Sequence, residues 1–222
     1  MNILSQNGKM KKSSQNGIHI YNFGIPAFSS STGLKTCPNA GICASGCYAR
    51  SGAYRFSNVA RVYEERLKLT RSEEFVDTMI AEIRLKEIHA KSKNSTCLIR
   101  IHDSGDFYSA PYWDKWSFIM RFLPDTKFYA YTKMIQFFKS QTEIPHNFTL
   151  IYSFGGLQDR LIDLQTDRHS RVFQNETDLL ASGYIDASQD DLLALTPNPK
   201  IGLVYHGTKK YTNTQWNKTA SK

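Results

Sequence analysis

Short apolar strands alternate with helical segments from about residue 97 onward, and this alternation limits the possible folds more than any other feature. Strands are predicted at Cys97–His102, Lys127–Lys133, Phe148–Ser153, Arg171–Phe173 and Ile201–His206. The helices predicted between them lie at Ser109–Phe122, Met134–Lys139, Leu157–Leu164 and Thr177–Gly183. Strands that alternate with helices in this way pair in parallel through right-handed crossovers. The pattern therefore predicts an α/β fold.

The first part of the chain adds a strand at Ile18–Phe23 and helices at Asn58–Leu69 and Phe75–Ile88. With 222 residues, of which 41% are hydrophobic, the chain suits a single domain with its own core. Residues 1–17 carry two Asn-Gly steps around several lysines and are expected to form a basic N-terminal arm, as a loop or hairpin. Residues 18–208 form the predicted body, and residues 209–222 form a polar tail.

Side-chain alternation along the strands distinguishes a barrel from an open sheet. One face is mostly apolar, and its members are Ile99, Ile101, Phe128, Ala130, Phe148, Leu150, Tyr152, Ile201, Leu203 and Tyr205. The other face is more polar, and its members are Arg100, His102, Tyr129, Tyr131, Lys133, Thr149, Ser153 and His206. A doubly wound sheet is covered on both faces and is apolar on both, whereas a barrel that holds a ligand can be polar inside. The alternation favours a full or partial (β/α) barrel of the TIM type.

Charge and hydropathy bear on the partners of the chain. The formal net charge of +8 favours acidic partners, nucleic acid among them, although the basic residues are dispersed. No apolar run approaches the length needed to cross a bilayer, and the N-terminus lacks the pattern of a signal peptide. These features predict a cytoplasmic protein without membrane partners.

Three of the four cysteines, Cys37, Cys43 and Cys47, lie within eleven residues of a loop rich in Gly, Ala, Ser and Pro. In a reducing compartment such a cluster is more often a metal or reactive site than a disulfide framework. A structural zinc site, a redox pair and an iron–sulfur site compete as interpretations, with buried thiols as the structural alternative. Three thiolates on one small loop can hold three corners of a cubane and leave the fourth iron open to a ligand. Cys97, at the start of its strand, is interpreted as a buried apolar residue.

Polar residues follow the predicted strands at the end where a barrel holds its site. Asp103, Gly105 and Asp106 come directly after one strand and are candidates for contact with a ligand, although a carboxylate there can also cap the next helix. Arg50 could neutralise an anionic cluster or bind a carboxylate or phosphate. Ser153 ends another strand just before two glycines, which permit close approach of a ligand to the backbone.

The polar face of the strands carries groups suited to acid–base chemistry. Arg100, His102, Tyr131 and Lys133 are predicted to point into a common interior and to face a substrate there. A hydrogen-bonded polar core without catalytic function explains the same residues equally well.

The segments "CPNAGICASGCYA", "IRIHDSGDFYS" and "FYAYTK", together with "NGKMKK" and "FGIPAFSS" near the start, resemble the bacteriophage "gene product 88" family. That group resembles radical S-adenosylmethionine proteins. The resemblance implies a TIM-barrel-like fold, a 4Fe-4S cluster as the metal centre, and S-adenosylmethionine as a second cofactor. A phage-encoded protein of this kind would act in the host cytoplasm.

The same resemblance implies roles for individual residues. It places the cluster on Cys37, Cys43 and Cys47, spaced Cys-x5-Cys-x3-Cys, where radical S-adenosylmethionine enzymes usually have Cys-x3-Cys-x2-Cys. Tyr48 is similar to the aromatic residue that often adjoins the last cysteine. The run Ser104-Gly105-Asp106 is similar in position to the motif that holds the methionine amino group.

Two classes of function remain open from the sequence. The first is a radical S-adenosylmethionine-like enzyme that binds a small molecule at the open iron. The second is a non-catalytic iron–sulfur protein that binds nucleic acid or a host protein during phage infection. The sequence identifies neither the substrate nor the oligomeric state.

Overall fold

The computed structural model describes residues 3–14 and 17–205, and these form one seven-stranded sheet in which all strands are parallel. The strands are β1 (Ile18–Phe23), β2 (Thr96–Ile101), β3 (Lys127–Thr132), β4 (Phe148–Ser153), β5 (His169–Phe173), β6 (Ile185–Asp186) and β7 (Lys200–Val204). Their order across the sheet is β1-β2-β3-β4-β5-β7-β6. His206 and the predicted polar tail lie outside the described residues.

Helices connect most of these strands, as parallel pairing requires. They are α1 (Gly8–Ser13), α2 (Ser57–Thr70), α3 (Phe75–Lys91), α4 (Ala110–Phe122), α5 (Ile135–Lys139) and α6 (Glu176–Ala181). The long amphipathic segments match their predicted bounds closely, whereas the helix predicted at Leu157–Leu164 is only a 3-10 turn at Asp159–Leu161. The two-residue strand β6 was not predicted, because two residues carry no period that a sequence can reveal.

The convex face of the sheet packs against α3 and α4 and forms the main core. Ile99 and Ile101 of β2 lie in one cluster with Trp113 and Trp116 of α4. Phe107, just before α4, is fully buried against this cluster. The apolar face predicted for β2 and β3 is therefore the convex face.

The concave face is filled at its centre by α1. Met10 is completely buried there, and it belongs to a cluster with Ile20 of β1, Ile151 of β4 and Ile201 of β7. The structure thus has a helix where the sequence suggested a loop or hairpin arm, because Met10 gains more by burial than the Asn-Gly steps gain as turns. The assignment of Ile201 and Leu203 to the outer apolar face is also wrong, since both belong to this concave cluster.

A buried ion cluster on the concave face shows how strongly the sheet curls. Asp191, which follows β6 at one edge of the sheet, accepts hydrogen bonds from Arg100 of β2 at 2.9 Å and from the Tyr129 hydroxyl of β3 at 2.7 Å. Lys9 of α1 forms an ion pair with its other oxygen at 2.5 Å. A residue near one edge can reach strands near the other only if the sheet bends around α1.

The predicted α/β fold with parallel strands is confirmed in the form of a curled half-barrel of seven strands. Within residues 3–14 and 17–205, β1 and β6 are the edges, and no ladder joins them. The segment before α1 covers the edge of β1 through a pair of backbone hydrogen bonds between Ser5 and Asn22. None of the described helices is long and apolar enough to span a lipid bilayer.

Candidate functional site

The cysteine loop, residues 37–47, belongs to the long connection between β1 and α2. It passes over the C-terminal ends of β3 and β4. Its backbone binds the turn after β4: Gly41 and Cys43 both donate to the Gly155 carbonyl, at 3.2 Å and 3.0 Å. Leu157 in turn donates to the Asn39 carbonyl at 2.9 Å. The loop is therefore held at the open mouth of the half-barrel, the end where βα-fold sites form.

Two glycines make this attachment possible. A Cβ on Gly41 would lie 2.9 Å from the backbone of Gly156, and a Cβ on Gly156 would lie 3.0 Å from the Asn39 carbonyl oxygen and 3.1 Å from the Lys133 Cβ. The contact at Gly41 is too short for any side chain, so a residue with a Cβ there would push the two backbones apart, and the contacts at Gly156 are tighter than ordinary packing. Gly156, the second of the two glycines after Ser153, thus lets the cysteine loop lie close to Lys133.

The three cysteines are free thiols in neighbouring electrostatic environments. Burial raises the pKa of the Cys37 thiol to about 12, and the charges of Asp106 and Cys47 add to the effect. Burial also raises the pKa of the Cys47 thiol, and the charge of Cys43 raises it further. The charge of Lys133 opposes both shifts. At neutral pH both groups are therefore thiols in the metal-free chain.

The donor set fits a thiophilic metal or an iron–sulfur cluster in its chemistry, because three unbridged thiols occupy one loop. In the part of the chain that the structure describes, however, no three His, Cys, Asp or Glu side chains are arranged as a metal site. Binding of a cluster would therefore require the loop to rearrange around it.

Asp103 lies at the mouth directly after β2, where three tyrosines surround it. The hydroxyls of Tyr54 and Tyr63 donate to its carboxylate, at 3.2 Å and 3.0 Å. The Tyr48 hydroxyl donates to its backbone carbonyl. Tyr48 follows Cys47 directly, so this contact connects the end of the cysteine loop to the end of β2. These bonds explain Asp103 and Tyr48 as structural partners, and their predicted ligand roles stay predictions.

Asp106 is nearly fully buried and accepts hydrogen bonds from three donors. One oxygen accepts from the Phe107 amide at 2.8 Å and the Thr132 hydroxyl at 2.6 Å, and the other accepts from the Lys133 amide at 2.9 Å. Burial nevertheless raises its pKa. In this geometry Asp106 fixes the backbone that carries Lys133, which is a structural role beside the predicted cofactor role.

Ser104 and Gly105 bring the turn after β2 against the chain that leads into the cysteine loop. The Ser104 carbonyl accepts from the Ile25 amide at 3.0 Å. Gly105 has a φ of +86°, and a Cβ there would lie 2.2 Å from the Ile25 side chain, so only glycine fits. The buried Ser104 hydroxyl has no hydrogen-bond partner among the described residues.

His102 does not face the interior with Arg100, and that expectation is wrong. The residue follows the last residue of β2 with a φ of +65°, which ends the strand alternation and turns the side chain toward α4. Its ring packs edge-on against Phe107 with centroids 4.7 Å apart, and its Nε2 shares a 2.8 Å hydrogen bond with the Tyr112 hydroxyl. Burial lowers the pKa of His102 to about 3.

The remaining predicted residues do come together on the concave face at the mouth. The Arg100 guanidinium lies over the Tyr131 ring at 5.0 Å. The Lys133 ammonium donates to the Ser153 hydroxyl at 2.8 Å. All four residues are partly exposed.

Arg50 stays close to the cysteine loop. Its guanidinium donates to the Ala44 carbonyl at 2.8 Å and lies over the Phe28 ring at 5.3 Å. Its charge lowers the pKa of Cys47 slightly against the larger effect of burial. Cys97 lies apart from this group at the start of β2, buried in the convex core, as predicted.

Sequence reasoning missed Lys9, Tyr54, Tyr63 and Asp191. Lys9 belongs to the predicted basic arm, and Asp191 carries no motif along the sequence that marks it as buried. Their partners lie between 40 and 182 positions away along the chain, because Tyr63 contacts Asp103 and Lys9 contacts Asp191. Only the tyrosine spacing downstream of Cys47 could have suggested a cluster of phenols near the loop.

Comparison with known proteins supports the phage-family part of the resemblance stated from the motifs, whereas none of the matches bears on the likeness to radical S-adenosylmethionine proteins. The family model described as "Gene product 88" matches residues 1–221. Among curated proteins, "Gene 88 protein" of Mycobacterium phage L5 is 33% identical over 106 residues, and "Gene 88 protein" of Mycobacterium phage D29 is 31% identical over 103 residues. Each match spans 45% of this chain and 43% of the relative, so the chain aligns with less than half the length of these proteins. No solved structure matches. Because the family model covers almost every residue, the chain belongs to the gene product 88 family, a bacteriophage family.

Proposed function

We propose that this chain is an iron–sulfur protein of the radical S-adenosylmethionine-like type. Cys37, Cys43 and Cys47 would hold a 4Fe-4S cluster at the mouth of the half-barrel. The observation that carries the proposal is the attachment of the cysteine loop over the ends of β3 and β4, where the Lys133 side chain lies against Gly156. When bound, such a cluster would supply one-electron reduction of S-adenosylmethionine through its open iron.

The residues around the loop support a ligand-binding mouth in several ways. Gly41 and Gly156 keep the loop close to the strands, and the Asp106 carboxylate fixes the backbone of Lys133. The positive charges of Lys133 and Arg50 would offset the negative charge that thiolates bring to a cluster. Metal binding would also require loss of the thiol protons, so we expect loading to release protons and to improve as pH rises.

Anaerobic purification followed by iron and sulfide analysis tests the metal centre. We expect about four irons and four sulfides per chain in the wild type, with broad absorbance near 400 nm. Each of C37S, C43S and C47S should lose most of the iron. The matched control is C97A, which removes the thiol at the far end of β2 and should keep its iron. Tetrahedral zinc in place of iron, or equal iron in all four variants, would overturn the metal assignment.

The cofactor is tested separately on the loaded protein. After reduction with dithionite in the presence of S-adenosylmethionine, we expect 5′-deoxyadenosine and methionine in equal amounts. Loaded protein that forms neither product, even with cell extract as a source of substrate, would contradict S-adenosylmethionine chemistry and would leave a non-catalytic cluster protein.

The alternative function, binding of nucleic acid by the basic surface, has less support. Lys9, one of the three lysines of the predicted basic arm, is paired with Asp191 on the concave face and is not available to phosphates. Salt-dependent binding by iron-loaded but not iron-free protein would favour this alternative.

A further inference from the structure

The concave face changes character between its centre and its mouth. Around Met10 it is apolar and closed, but toward the mouth it carries Arg100, Tyr131, Lys133 and Ser153, which we call the polar layer. Tyr131 lies in β3 and Lys133 follows its last residue directly, and the Lys133 ammonium reaches Ser153 at the end of the neighbouring strand β4. The polar layer thus lies between the α1 cluster and the cysteine loop.

Two groups of the polar layer have no hydrogen-bond partner among the described residues. They are the Tyr131 hydroxyl and the Arg100 Nε, and both atoms are buried. Tyr129 lies two residues earlier on the same face of β3. Unlike the Tyr131 hydroxyl, the Tyr129 hydroxyl has a partner, because it donates to Asp191. Buried polar atoms are paired in the great majority of cases. The Arg100 guanidinium lies over the Tyr131 ring, so two donors without partners belong to side chains in contact, and this favours an acceptor from outside the described residues.

The charges around these donors indicate what kind of acceptor fits. Asp191 is the acidic group that faces Arg100, and its oxygens are already engaged by Lys9, Arg100 and Tyr129. Arg168 lies within electrostatic range of Tyr131, and its guanidinium is bonded only to backbone carbonyls. Lys9, Arg100 and Arg168 stand against Asp190 and Asp191 in this part of the concave face, which leaves a net excess of one positive charge, and such an excess favours an anion.

The geometry points to a subsite for a small oxyanion, a carboxylate or a phosphate group of the ligand, bound by the Tyr131 hydroxyl and the Arg100 Nε. Lys133 is positioned to contribute a further bond by leaving Ser153. This inference rests on the proposed function in one respect, namely that the mouth is the ligand side of the molecule. It adds a substrate class, because a ligand seated between the cysteine loop and the polar layer would carry an acidic group.

The test is thermal unfolding of the full chain with inorganic phosphate or malonate, against sodium chloride at equal ionic strength. We expect either oxyanion to raise the melting temperature of the wild type by a few degrees at about ten times its dissociation constant. A preference for phosphate or for malonate would identify the type of oxyanion. In Y131F we expect roughly a tenfold loss of affinity, since one hydrogen bond to a charged group is removed.

Stability without added anion separates this role from a structural one. Y131F should be as stable as the wild type, because the Tyr131 hydroxyl bonds to none of the described residues, whereas the control Y129F should be less stable but should keep its response to anions. An equal anion response in the wild type and Y131F would mean an adventitious ion only and would overturn the inference. The inference would also be overturned if the wild type did not respond to anions, or if Y131F were less stable than the wild type without added anion.

The same titrations with the C37S/C43S/C47S triple variant distinguish this inference from the cluster proposal. We expect that variant to keep the anion response, because the polar layer lies on the strands. If the triple variant loses its iron but keeps its anion response, the two sites are separate. If the wild type binds iron but does not respond to anions, only the oxyanion subsite is refuted.

Discussion

Replacement of Asp191 by asparagine should destabilise the fold strongly, because the fully buried Asp191 compensates two partly buried cations. Its side chain is fully buried, with Lys9 at 2.5 Å from one oxygen and Arg100 at 2.9 Å from the other. Although burial by itself would raise it, the charges of Arg100 and Lys9 hold the pKa of Asp191 well below its usual range. Removal of one partner from a buried ion pair costs about 3–5 kcal/mol, because the remaining charge stays desolvated. For a chain of this size the melting temperature should fall by roughly 6–20 °C.

Urea denaturation followed by circular dichroism measures the loss, and D190N is the matched control. Asp190 carries the same charge one residue earlier and caps the same turn through the Leu192 amide at 2.9 Å. Asparagine caps as well as aspartate does, so D190N should change the free energy of unfolding by less than about 0.5 kcal/mol. If D191N costs no more than D190N, the ion cluster does not hold α1 against the strands, and the account of the concave face is refuted.

The low pKa of Asp191 adds a dependence on pH with a definite sign. A carboxyl whose pKa is lowered on folding contributes its full stability above the unfolded value of about 3.9, and this is lost as pH falls toward the folded value. The difference in unfolding free energy between wild type and D191N should therefore be constant from pH 5 to 7 and shrink below about pH 4. A difference that grows on acidification would contradict this reasoning.

The remaining predictions concern other buried contacts. Because the pKa of His102 is lowered to about 3 in the fold, its stabilising contribution is complete above its unfolded value of about 6.5 and is lost as pH falls; urea titrations should show up to about 1.4 kcal/mol lost per pH unit in the wild type and a shallower slope in H102Q. G41A should cost roughly 1–3 kcal/mol and lower iron content, because its Cβ would meet the Gly156 backbone; G8A, with no atom near its Cβ, should do neither. D106N should lose about 1.5–3 kcal/mol in chemical denaturation, because three donors lose a charged acceptor; an unchanged midpoint would contradict the bonds described.

The sequence predicted the strands and long helices well where their periods were long enough to read. Strands β2, β3 and β4 and helix α4 begin and end within one residue of their predicted bounds. Helix α1 was missed because its six residues include one large apolar side chain, Met10. The helix is stabilised by burial of Met10 against strands that lie far along the chain. His102 was misplaced because a residue beyond a strand end no longer obeys the two-residue alternation.

By itself, the sequence determined most of the strands and the long helices, their parallel pairing, the grouping of three thiols on one loop and the membership of a phage family. These properties depend on local periods, short spacings and motifs, which are readable along the chain. Only the tertiary structure decided that α1 fills the concave face, that Asp191 joins Lys9 to Arg100, and that two glycine backbones hold the cysteine loop beside Lys133. Each of these depends on how far the sheet curls, and curl is set by packing between residues that are remote in sequence.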